Sequence, residues 1–181
     1  MYITNCTSSD ISSAIGILSR RVVKPNEHDW KALKRILGYL KSTLDLVLVF
    51  KTSYSVELTG YIDADWGNEK DRKSTTGYIY KLGTNLITWV NQNENSVSLY
   101  STEAEYLAAA TAAQEAIWLD LLMTEHFDIK FHFINDLITN KFLSLNYCPT
   151  EKMLADILTK PLAKNKFQEL RQGIELITYS H

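Results

Sequence analysis

The sequence is short of most residues that would announce a function. Its 181 residues include only two cysteines, Cys6 and Cys148, and neither stands at metal-ligand spacing from a partner. That excludes a disulfide scaffold and a zinc finger, and it suits a reducing, intracellular compartment. Three prolines and seven glycines are too few and too scattered to form a linker, and no repeat or low-complexity tract divides the chain. Charge of one sign is also missing: 19 Lys and Arg stand against 21 Asp and Glu, for a net charge of −2. Bulk charge therefore does not mark a nucleic-acid-binding protein, and any such contact must come from local patches. There is no long hydrophobic run. The Ala-rich stretch 106–119 is too short to span a bilayer, and the start MYITNCTSSD has neither the charged nor the apolar part of a signal peptide. No membrane partner is expected. What the chain does have is 45% apolar residues, enough for a packed core.

The periodicity changes once, near residue 44. Before it, Ile11, Ala14, Ile15 and Leu18 are helix-spaced behind Asp10, a fair N-cap, and a second helix is expected over about 29–42 with Trp30, Leu33, Leu37 and Leu40 as its apolar set. After it, Leu44–Phe50 and Val56–Ile62 read as strands close enough in sequence to pair antiparallel. The runs 77–82 and 86–90 flank Gly83-Thr84-Asn85 as a hairpin, and Ser96–Tyr100 reads as one more short strand. A long Ala-rich helix follows to about Glu125, with Thr102 and Glu105 at capping-box spacing. Further helical patterns are expected around 127–138, around Met153–Leu158 behind Thr150, and over about 164–176, with a strand at Phe142–Cys148.

Three carboxylates fall at comparable places in this pattern. Asp63 ends a strand, two residues before Asp65 on the same face; Glu105 lies in the first turn of the long helix; Asp156 lies in the short helix after the last strand. Acids from separated segments at one end of a sheet can converge on a pair of hard divalent cations, Mg²⁺ or Mn²⁺, and on phosphoryl transfer. Each also has an ordinary explanation: an exposed acidic turn, a capping box, a solvent-facing helix acid. Two basic groups, Lys31/Lys34/Arg35 and Lys70/Arg72/Lys73, are either solvated faces or contacts to a phosphate backbone.

The segments YIDADWG (61–67), DRKSTTGYIYKLGTNLITW (71–89), SLYSTEAEYLAAATAAQEAIWL (98–119) and YCPTEKMLADILTKPL (147–162), in this order, resemble the ribonuclease H domain of copia-type LTR retrotransposon Pol polyproteins. YITNCTSSDISSAIGILSR (2–20) and HDWKALKRILGYLKST (28–43) resemble the tail of the reverse transcriptase region just upstream. The resemblance implies a helical tail over 1–43, starting within a motif that continues from the polymerase region, and a ribonuclease H-like α/β domain over 44–181. That fold is a mixed sheet opening with three antiparallel strands and adding a parallel one, flanked by helices. The implied activity is metal-dependent hydrolysis of the RNA strand of an RNA–DNA hybrid. The implied partners are that hybrid and the upstream reverse transcriptase domain. Carried over by motif, Asp63 bridges two Mg²⁺ (or Mn²⁺) ions, Glu105 belongs to one and Asp156 to the other.

The chain departs from the family at one point. The family's strand with a Cys-Asp-Asn-like motif, whose Asp is the remaining metal ligand, and the helix after it have no counterpart. Residues 121–125 run directly into His126–Ile134. One strand–helix unit is therefore expected to be lacking, leaving an incomplete two-metal site. The expected consequences are impaired hydrolysis or, as the alternative, an inactive retroelement relic with weak nucleic-acid binding. Phe142–Cys148 is expected to fill the gap by pairing parallel to Glu57–Ile62, and Asp120 and Asp128 are distant substitutes for the lost ligand.

Overall fold

The computed structural model describes residues 4, 6–52, 57–66, 73–94, 98, 100–124, 144 and 146–178. Helix α1 (Ser12–Ser19) follows a 3₁₀ turn at Ser9–Ile11, and α2 (Glu27–Ser42) begins after Asn26. The strands are β1 (Leu46–Leu48), β2 (Leu58–Asp65), β3 (Thr75–Leu82) and β4 (Asn85–Asn93). Then come α3 (Ser101–Thr124), a 3₁₀ turn at Thr150–Lys152, α4 (Asp156–Thr159), α5 (Lys164–Gly173) and β5 (Leu176–Thr178).

The centre is an antiparallel three-stranded sheet, β2-β3-β4. The β3–β4 turn is tighter than the three-residue loop expected: Leu82 pairs with Asn85, so only Gly83 and Thr84 lie between the strands, and Gly83 takes φ 60°. Glycine has no Cβ to clash in that left-handed conformation. β3 is covered on both faces, and strict alternation sorts its side chains. Ile79 points to one face with Leu86 and Trp89, against Leu154, Ile157, Leu158, Leu170 and Ile174. Tyr78 and Tyr80 point to the other, against Ala112, Ala116 and Leu119 of α3. The alanines are what α3 buries: Ala104, Ala108 and Ala112 have no exposed surface, which lets the helix axis approach the sheet closely, whereas Leu122 stays 48% exposed.

Several local expectations are corrected. β1 does not pair with β2; it pairs antiparallel with β5, Leu48 opposite Leu176. β5 was hidden because Glu175, at φ 62°, ends the last helical segment two residues after Gly173. Asp10 is not a cap but a buried residue of the 3₁₀ turn, accepting a hydrogen bond from the Tyr39 hydroxyl. α2 does start at a capping box, formed by Asn26 and Asp29, yet Trp30 and Leu37 are each 58% exposed and Ile36 is the buried apolar residue. Thr102 lies inside α3, one residue past its start, so it cannot cap, and Thr150 lies inside its 3₁₀ turn without a side-chain cap bond at the preceding Pro149. The expected parallel strand is not formed by the described part of 142–148: Ser144 and 146–148 carry no strand pairing and instead line a groove beside Glu57–Ile62. Ser98 and Tyr100 are likewise not in a strand. The expected helix over 127–138 and Asp128 lie outside the described residues.

Among the described residues, no helix is long and apolar enough to cross a membrane. The sheet and its helical layers are therefore mixed α/β, with antiparallel pairing in both sheets.

Candidate active site

Three separated segments bring their acids to one end of the central sheet. β2 delivers Asp63, whose backbone pairs with Gly77 of β3. α4 begins at Asp156 and packs onto β3, and the lack of a side chain at Gly77 is what lets it do so. A Cβ at Gly77 would run into the Thr159 Cγ2 methyl and stand 3.1 Å from Leu158 Cβ. α3 lies across β2 and delivers Glu105, whose carboxylate accepts from the Ala64 backbone N–H. Glu105 thus serves the strand rather than a cap.

A lysine closes the cluster. Lys160, immediately after α4, places Nζ 2.7 Å from Asp63 Oδ1 and 3.1 Å from Asp156 Oδ1. The Thr159 hydroxyl donates to the other Asp63 oxygen, Oδ2. Both carboxylate oxygens of Asp63 are therefore engaged by α4 and the residue that follows it. The two aspartate side chains are 8% and 4% exposed, so they need these partners: a buried carboxylate without compensation is costly. Burial disfavours the Lys160 ammonium, but hydrogen bonds and attraction from Asp63 and Asp156 outweigh it and raise its pKa.

The remaining acids feel the same field. Glu105 is exposed as a residue, yet its carboxyl end is partly desolvated, and that burial, followed by the charge of Asp63, raises its pKa against the opposing pull of Lys160. Asp65 is raised by burial first and by Asp63 next, with Lys160 and Arg20 acting the other way.

The three predicted acids thus converge, while the predicted bases do not join them. Lys31, Lys34 and Arg35 are exposed on α2, with Lys34 Nζ 5.5 Å from the Trp30 ring centroid. Lys73 is half-buried, and Lys70 and Arg72 lie outside the described residues. Asp120 is no substitute ligand: fifteen residues further along α3, it lies about 22 Å from Glu105 along the helix axis. Sequence reasoning missed Lys160 and Thr159. The signal available was the spacing of four between Asp156 and Lys160, which puts them within reach across one helical turn.

Oxygen donors of this kind suit Mg²⁺ or Mn²⁺. As arranged, however, the set does not fit such an ion. The Lys160 ammonium lies between Asp63 and Asp156, and among the described residues no group of three or more His, Cys, Asp or Glu is placed to hold a metal.

No protein-family model and no solved structure matches the chain. Among curated proteins, the retrovirus-related Pol polyprotein from transposon TNT 1-94 of Nicotiana tabacum is 32% identical over 93% of the chain. That from transposon RE1 of Arabidopsis thaliana is 33% identical over 93%. Secreted RxLR effector protein 161 of Plasmopara viticola is 42% identical over 66% of the chain and 84% of its own length. The tobacco alignment extends over 200 residues while covering 93% of a chain of 181, so that relative carries residues within the aligned stretch that have no counterpart here. The chain spans only 15% and 14% of the two Pol polyproteins. With matches to both over nearly its whole length, the chain belongs to the Pol polyproteins of copia-type retrotransposons, as a fragment of one.

Proposed function

We propose that this chain is the ribonuclease H-type portion of a copia-type Pol polyprotein, directed at RNA–DNA hybrids and impaired in hydrolysis. Residues 1–43 are then the tail of the reverse transcriptase region, and 44–181 the ribonuclease H-like domain short of one strand–helix unit. The observation that carries the reading is the convergence of Asp63, Glu105 and Asp156 from β2, α3 and α4. These are the three acids that the family motifs supply. The extra residues of the tobacco relative support a missing unit.

The electrostatics favour impairment. Four carboxylates, Asp63, Asp65, Glu105 and Asp156, share the Lys160 ammonium, with the Arg20 guanidinium acting on Asp65. With no cation beyond Lys160 and Arg20, this end of the sheet carries net negative charge and repels a phosphodiester. What the chain's own residues do is hold one another: Thr159 and Lys160 fix Asp63, and Ala64 fixes Glu105. If Mg²⁺ or Mn²⁺ bound, it would supply the positive charge that such a reaction requires, but the present arrangement leaves no place for it between Asp63 and Asp156. Hybrid contacts would fall to Lys31, Lys34, Arg35, Lys70, Arg72 and Lys73.

The test is incubation of a labelled RNA–DNA hybrid with the chain and Mg²⁺ or Mn²⁺, beside an Asp63→Asn control. The expected result is salt-sensitive binding with cleavage no faster than the control. Robust cleavage that Asp63→Asn abolishes would overturn the impairment, and failure to bind the hybrid at low salt would overturn the substrate class.

A further inference from the structure

We infer that Lys160 is the resident cation of the acid cluster, an internal ammonium that takes the position a divalent ion would need and must leave before one can bind. The inference rests on the proposed ribonuclease H-type reading for its interest, but its evidence is the geometry alone.

Three observations carry it. The ammonium bridges carboxylates from two elements distant in sequence, at 2.7 Å from Asp63 and 3.1 Å from Asp156. Its place is set by backbone as well as charge, because the Lys160 N–H donates 3.1 Å to the Asp156 carbonyl as the chain leaves α4. The second oxygen of Asp63 is already taken by the Thr159 hydroxyl. A divalent ion coordinating Asp63 and Asp156 must therefore exchange with Lys160 rather than simply enter. The exchange has a route, since the lysine side chain is 35% exposed and can swing outward on its flexible stem. It also has a cost: charge-assisted hydrogen bonds are the strong ones, and both carboxylates would be left buried while their partner departs. Removing the ammonium while keeping the stem should reverse this balance. Two buried carboxylates without a cation then become a site that wants one.

The experiment needs no nucleic acid and uses the full chain with Mn²⁺ as the probe. Free Mn²⁺ is followed by electron paramagnetic resonance during titration of the wild type, Lys160→Met and Lys160→Met/Asp63→Asn. The expected result is binding by K160M at least tenfold tighter than by the wild type, with the gain lost in the double variant. Wild-type binding as tight as that of K160M, or no gain in K160M, would overturn the inference. Should K160M fold poorly, the wild type still decides. Its melting temperature is expected to be the same in Mn²⁺ and in EDTA, and a Mn²⁺-dependent rise that Asp63→Asn removes would equally sink the proposal. Because neither readout involves a hybrid, a failure of the substrate reading leaves this result standing, and the reverse holds too.

Discussion

Replacing Gly77 by alanine should damage the protein far more than one methyl group would ordinarily do. The new Cβ would press on the Thr159 methyl and on Leu158 Cβ at 3.1 Å. Neither can step aside cheaply, because Leu158 has no exposed surface and Thr159 is 4% exposed. Overpacking of this kind costs about 1–3 kcal/mol. If α4 relieves the clash by lifting, the Thr159 and Lys160 contacts to Asp63 weaken as well, and charged hydrogen bonds are worth about 1.5–3 kcal/mol each. Against this, alanine restricts the unfolded chain and returns about 0.4–1 kcal/mol. The net expectation is a loss of about 3 kcal/mol, or roughly 6–12 °C in melting temperature for a chain of this size. Urea denaturation followed by tryptophan fluorescence measures it. Gly38→Ala is the matched control: the position is exposed within α2 with nothing inside 4 Å, so there the same substitution should stabilise by about 0.5–1 kcal/mol. A G77A loss below about 0.5 kcal/mol would refute the claim that this glycine seats α4 against the sheet.

Two further outcomes follow from buried polar groups. Burial raises the pKa of Asp10 despite its bond from Tyr39, so the folded protein holds that proton more tightly than the unfolded chain does. The stability it contributes is full below the ordinary value of 3.8 and is lost as pH rises through the raised folded value; Asp10→Asn, which can still accept from Tyr39, should remove that part of the slope in melting temperature against pH, and an unchanged slope would count against it. Tyr80→Phe deletes a buried 2.5 Å bond from the hydroxyl to the Ala112 carbonyl and should cost about 1 kcal/mol in urea unfolding, since that carbonyl keeps its helical position; a loss above about 3 kcal/mol would mean the ring itself had moved.

What the sequence made legible was local. The β3–β4 hairpin could be read because a glycine stands at the turn and strict alternation sends Ile79 one way and Tyr78 and Tyr80 the other. The extent of α3 followed from its alanines. Errors arose wherever a partner distant in sequence decided the outcome. Trp30 and Leu37 had the right spacing for a buried stripe, but a stripe is buried only when something covers it, and the pattern on one helix does not contain its neighbour. β1 and β2 were adjacent strands in sequence, yet β1 pairs with β5 near the far end of the described residues, and among these β2 pairs only with β3. Asp10 and Thr102 had the chemistry of caps, and helix starts that differ from those expected put each in another role. At the site, spacing alone did not single out Asp63, Glu105 or Asp156; the order of long motifs did. Lys160 was passed over because lysine is so often a solvated surface residue; its spacing of four from Asp156 hinted at that pairing, but nothing local pointed to Asp63.

The pairing of β1 with β5 has a consequence for how the chain acquires its structure. Leu48 and Leu176 meet across an intervening segment on the order of 130 residues, whose closure costs roughly 4 kcal/mol in chain entropy before any contact repays it. At about 5–20 residues per second, a ribosome needs roughly 6–26 s to make that segment. Throughout this interval Leu46 and Leu48 wait without the strand that will pair with theirs, next to a hairpin already able to form. The two-stranded sheet is thus a latch fastened last, and it dates the completion of the fold to the emergence of residue 178 rather than to the assembly of the acids around Asp63.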